Sequence, residues 1–154
     1  MVLLFLGIVE IVEKEKKMVK KRITIVELII FSVVFFIAAT LLKDEYLFGW
    51  ITKNWTFYLS LSLLALILQA KGKKHLSIWM SGGIVFGVFI GNYLGKWIML
   101  DNIERITQSM DAQEVAMLNQ NPGFIIWLVV ILISMGIGII NQIILKRKKT
   151  ITSK

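Results

Sequence analysis

Cysteine is absent from this chain, proline and histidine occur once each, and no aspartate lies inside any of its long apolar runs. Without thiols there are no disulfides and no thiolate metal sites, and the redox compartment leaves no mark on the sequence. A single histidine, His75, rules out an HExxH zinc site or a histidine-ligated iron centre within one chain. It sits beside Lys73 and Lys74, where it reads as a solvated turn residue. No GxSxG is present, and the glycines fall within an apolar run with no Lys-Ser/Thr behind them, so neither a nucleophile elbow nor a phosphate loop can be built. The expectation is a protein that is not an enzyme and has no metal and no cofactor.

What the chain does have is apolar length. Over 154 residues it is 56% hydrophobic with a mean hydropathy of +0.74, too apolar for a soluble domain of this size. Four runs approach the roughly 20 residues that a helix needs to cross a bilayer: 23–42, 55–70, 76–100 and 123–145. The reading is an all-α integral membrane protein with one four-helix domain over 23–145. KDEYLFGWITKN and KGKKH read as loops, 101–121 as a long external loop and 146–154 as a basic tail. Asn121-Pro122-Gly123 opens the fourth run with a capping residue and a proline in the first turn.

The first 22 residues read as a separate N-terminal segment. Residues 1–13 are apolar but too short to span, and they lack the basic start and cleavage site of a signal peptide. Met18 opens MVKKR ahead of an apolar run, and Lys14-Glu15 can be encoded AAG GAG, a purine-rich ribosome-binding sequence. The expectation is that residues 1–17 precede the true start; if they are translated, they form a short interfacial anchor.

Basic residues set the orientation. With the N-terminus inside, the cytoplasmic side holds Lys14, Lys16, Lys17, Lys20, Lys21 and Arg22, then Lys71, Lys73 and Lys74, then Lys146, Arg147, Lys148, Lys149 and Lys154. That leaves outside only Lys43, Lys53, Lys96 and Arg105 of the 18. The bias predicts both termini in the cytoplasm of a bacterial cell, with anionic lipid headgroups as partners of the basic clusters. It also accounts for the net charge of +8 without nucleic acid.

Within the third run, Gly83, Gly87, Gly91 and Gly95 recur every fourth residue and form a glycine-zipper stripe along one helix face. In lipid such a stripe is a packing surface, because close backbone approach supplies the van der Waals contact that apolar burial does not. Ser134 and Gly138 repeat the small-residue spacing on the fourth run, making it the internal partner of choice; another copy or a different membrane protein is the alternative. Asn92 borders the stripe and is placed to hydrogen-bond across it. Tyr93, Trp97, Trp50, Trp55 and Trp127 read as interfacial aromatics.

Polar residues at membrane depth are the remaining pointers to function. Glu27, Gln69, Asn141 and Gln142, with Ser77 and Ser81 nearby, all fall towards the inner leaflet, either as snorkelling interfacial groups or as a cytoplasm-facing polar cup. In the long loop, Asp101 with Glu104 and Asp111 with Glu114 have capping-box spacing and predict two short helices. Together these features point to an accessory or regulatory component of a membrane complex that acts by helix contact. A homo-oligomeric channel or proton-coupled transporter using Glu27 is the second reading.

Overall fold

In the computed structural model the backbone is described for residues 2–152 and side chains for 13–15 and 17–147. The side chains of residues 1–12 and 148–154, on which the anchor and most of the basic tail rest, lie outside the described set. The described chain is helical throughout, without strands: α1 (Val2–Thr40), α2 (Tyr46–Lys53), α3 (Trp55–Ala70), α4 (Lys74–Glu104), α5 (Ala112–Leu118) and α6 (Gly123–Thr152). Three stretches are long and apolar enough to cross a membrane: Glu13–Thr40, Lys74–Glu104 and Gly123–Arg147. A fourth exists if α2 and α3, bent by 86° at Asn54, form one broken span.

The expected second run coincides with α3, but three other expectations change. α1 continues from Val2 through Thr40 as one helix, so no break separates an N-terminal segment from the first span. KDEYLFGWITKN is not a loop: its centre is α2, whose Leu47, Phe48 and Ile51 are fully buried. Asp101 does not cap a new helix either. It lies inside α4, which runs on to Glu104, and its carboxylate pairs with Arg105 one turn along. The second unit does form the expected box: Asp111 Oδ1 accepts from the Gln113 and Glu114 amides at 2.8 Å, and Glu114 accepts from the Asp111 amide. Asp111 is extended while Asp101 is helical, and only an extended residue can cap.

α4 is the hub. It packs against α6 along most of its length and touches α1, α2, α3 and α5, whereas α1 and α6 do not meet among the described residues. The α4–α6 contact is antiparallel and runs through glycine. A Cβ on Gly83 would come within 2.8 Å of Ser134 Cβ, one on Gly87 within 2.8 Å of the Trp127 ring, and one on Gly91 within 2.5 Å of the Gly123 carbonyl oxygen. Gly95 lies against Asn121 and Gly123, and Gly138 faces the backbone of Leu76. No side chain fits at these points, and at Gly91 and Gly95 it is the backbone of Gly123 itself that stands in the way.

Trp127 exploits that closeness. Its ring is wholly buried, and its Nε1 donates to the Ile84 carbonyl of α4 at 3.0 Å. It is therefore a core residue and not an interfacial aromatic. Trp55, Tyr93 and Trp97 are exposed, as membrane-facing rings would be. Around Trp127, the rings of Trp50, Phe57 and Phe124 pack at centroid distances between 4.6 and 6.3 Å. The 86° bend at Asn54 makes this cluster possible by folding α2 across the end of the bundle where α6 begins.

α3 runs antiparallel to both neighbours. At one end it turns into α4 through Gly72, whose φ of 76° only glycine adopts freely. There Lys20 Nζ of α1 donates to the last α3 carbonyl, Ala70, at 2.6 Å. In its first turn, Tyr58 donates to the Phe31 carbonyl of α1 at 3.2 Å. α1 enters and α6 leaves at the end of the bundle that holds the α3–α4 turn.

Replacing Gly91 by leucine is expected to force α4 and α6 apart and lower stability by at least about 2 kcal/mol, since the obstacle is backbone and cannot move aside. Gly82, which faces open space, is the control: Gly82→Ala should leave the unfolding midpoint unchanged or raised. Thermal unfolding of the purified protein in detergent measures both.

Candidate functional site

Two polar clusters stand on α4, one at each end. The first is built around Asn92, which is fully buried. Its Oδ1 accepts from the Leu47 amide at 3.0 Å and its Nδ2 donates to Glu45 Oε2 at 3.1 Å. Lys96, one turn further on, donates to both Glu45 oxygens at 3.0 and 3.3 Å. The first amides of α2 have no partner in their own helix, and Glu45 at the cap makes no side-chain bond to them. Asn92 therefore supplies from α4 the cap that α2 lacks, and Lys96 fixes the carboxylate beside it. Lys96 is an ion-pair residue here. Lys96 and then Asn92 hold the Glu45 carboxyl below its ordinary range.

The second cluster lies at the α3–α4 turn end. Glu27 is 4% exposed on α1, and its Oε1 accepts from Ser77 Oγ at 2.8 Å and Ser81 Oγ at 3.2 Å, both on α4. Ser77 Oγ is also 2.9 Å from the Ala65 carbonyl of α3. A hydroxyl has one hydrogen, so Ser77 serves one acceptor at a time. If Glu27 carries a proton it can donate to Ser77 while Ser77 donates to Ala65; if it does not, Ser77 donates to Glu27. The same atomic positions suit both states. Glu27 Oε2 is buried without a partner, as is Gln69 Oε1 on α3.

Of the four residues expected to share a polar cup, the structure leaves Asn141 and Gln142 apart from Glu27. Both are half-buried on α6, which does not reach α1 among the described residues. The cup in one chain is instead Glu27 with Ser77 and Ser81, while Gln69 is buried on α3. Helical spacing placed these serines near Glu27's depth but gave no sign of which helix it faces. Glu45 was invisible in the sequence as a site residue. Its signal is the pair Asn92 and Lys96, one turn apart on one face, which needs an acidic group opposite.

The buried face of α1 is a narrow stripe of Glu27, Phe31, Val34 and Ala38, with Phe35 partly buried beside it. A groove runs along each flank. One, of about 490 Å³, lies against α3 between Phe35 and Leu59; the other, of about 470 Å³, lies against α4 and includes Glu27, Ser81 and Gly82. No protein-family model matches the chain, and comparison with curated proteins and with solved structures finds no match.

Because Glu45 titrates below the usual carboxylate range, its ion pair with Lys96 beside the α2 cap is intact at neutral pH and is lost as pH falls through that lowered value. Hydrogen exchange should report protection of the Leu47 amide at pH 7 that disappears under strong acid, and Glu45→Gln should remove the pH dependence. Asn92→Leu, which keeps the volume but not the cap, should cost about 1–3 kcal/mol and expose α2 at every pH. Ser77→Ala should cost a similar amount, about 1–3 kcal/mol, because it strips the buried carboxyl of its nearer donor.

Proposed function

We propose that this chain is a small polytopic protein of a bacterial cytoplasmic membrane that acts by helix contact, as an accessory or regulatory component of a membrane complex. The observation that carries this reading is the seating of α1. Its buried face is narrow, open grooves flank it, and Gly82 on the α4 wall of one groove has nothing within 4 Å of where a Cβ would stand. The glycines at 83, 87, 91 and 95 are occupied by α6, so the surface for a partner is the α1 seam and not the zipper stripe. Small residues with open space before them are what an incoming transmembrane helix needs for close approach.

The orientation follows the charges. The end bearing Lys20, Arg22, Lys71, Lys73, Lys74 and Lys146 faces the cytoplasm and its anionic headgroups, with both termini on that side. Glu27 then lies in the inner leaflet. Its buried carboxyl, compatible with either proton state, supports the second reading of a homo-oligomeric, proton-coupled transporter or channel.

Extraction of the native protein in mild detergent, followed by mass determination, tests the two against each other. Helix contact predicts a stoichiometric second membrane protein, lost from Gly82→Ile without change in the unfolding midpoint. A pure homo-oligomer whose proton-coupled flux disappears in Glu27→Gln would establish transport instead.

A further inference from the structure

We infer that the α1–α4 groove receives a transmembrane helix of a partner protein, and that this helix carries a basic residue in the inner leaflet, paired with Glu27. The inference rests on the helix-contact reading and names the chemistry of that contact.

The groove has the dimensions of a helix face. It extends from Arg22 to Ile30 on α1 and from Ile78 to Phe86 on α4, about 12 Å or two helical turns on each wall. Its surface is almost wholly apolar, and Gly82 leaves room for a second backbone to come close. Only two charged groups line it. Arg22 is exposed at the aqueous mouth, and Glu27 lies about 7.5 Å deeper, buried in the wall.

Glu27 decides what the occupant must bring. Two serines serve Oε1, whereas Oε2 has no donor and no solvent. A buried acceptor without a donor is costly, and more so for a carboxylate. Glu27 itself lines the groove, so a group seated there lies beside the carboxyl that lacks a donor. An ammonium or guanidinium there converts the deficit into a charge-assisted hydrogen bond. Ionisable groups at membrane depth pair with one another for this reason.

Other occupants lack that cation. No Lys or Arg lies between Arg22 and Lys43, Lys53 and Lys71, Lys74 and Lys96, or Arg105 and Lys146, and Lys96, inside the third span, sits far along α4 from the serines that touch Glu27 and pairs with Glu45. A second copy in the same orientation therefore brings no positive charge to the depth of Glu27. A lipid acyl chain would fill the apolar volume and leave Oε2 unpaired.

The test uses the full-length protein in neutral phosphatidylcholine vesicles with two labelled Leu/Ala transmembrane peptides of about 22 residues. One bears a lysine at the inner-leaflet depth of Glu27, and the other has leucine there. Energy transfer should show the lysine peptide associating roughly tenfold more tightly, the scale of a polar interhelical contact in lipid. Glu27→Gln should remove the preference, and Gly82→Ile should block both peptides. Gly82 has no neighbour to disturb, so this second variant stays informative if Glu27→Gln is unstable. Equal binding of the two peptides, or a preference that survives Glu27→Gln, overturns the charge pairing. If Gly82→Ile still blocks both peptides in that case, the helix-contact reading stands without it. Glu27-dependent binding of tetraphenylphosphonium with no peptide association overturns the inference in favour of a small lipophilic cation. Self-association through the groove without peptide overturns it in favour of a second copy.

Discussion

Between two helices surrounded by lipid, apolar side chains gain little by leaving the tails for each other, so association depends on how closely the backbones approach. α4 and α6 meet that demand at Gly91 and Gly123, where each glycine lies against the carbonyl oxygen of the other. With the axes this close, the Trp127 indole lies over Gly87 and reaches the Ile84 carbonyl. The ring then becomes the centre of an aromatic cluster drawn from α2, α3 and α6. A side chain at Gly87 or Gly91 would remove the contact and also the position of the ring that organises this end of the bundle.

The buried α2 follows from the same geometry. Folding an eight-residue helix into the end of the bundle buries Leu47, Phe48 and Ile51, but it also takes the α2 amides away from water. Helix N-termini cannot be buried without acceptors, and eight residues are too few for a helix to be stable on its own. Asn92 answers the first problem and the apolar contacts answer the second. Lys96 adds charge to the clip at the rim, where it is half exposed and weaker than a buried pair would be.

Much of this was legible in the sequence where one signal was enough. The run 55–70 is bounded by Asn54 and by Lys71-Gly72, and α3 ends at those points. The capping box at Asp111 and the opening of α6 at Asn121, whose side chain accepts from the Gly123 amide at 2.9 Å, were readable for the same reason. What escaped depended on contacts distant in sequence. α2 is too short to show a period and carries Gly49 in its centre, so its burial depends on partners 40 or more residues away. Asp101 has the same spacing as Asp111, but the helix before it does not stop. Asn141 and Gln142 stand near the same end of the chain's apolar runs as Glu27, yet that says nothing about which helices touch. Trp127 matched an interfacial aromatic because only the structure sets a glycine beside it.

The two polar clusters on α4 differ in a way that bears on function. At Asn92 the fold accounts for the residues: the amide oxygen has a donor, the amide nitrogen has an acceptor, and the neighbouring carboxylate is paired. Nothing more is required of them than to hold α2. At Glu27 the fold accounts for one oxygen and leaves the other empty, on a helix whose stripe of Phe31, Val34 and Ala38 would seat as well with an apolar residue at that position. Burying a carboxyl on those terms costs stability in an isolated chain, and substituting leucine for it would be the simpler way to pack α1. In the transport reading, a proton taken up and released offsets that cost; in the reading proposed here, a cation brought by another molecule does. The groove beside Glu27, with its open glycine, is where the second of these can enter.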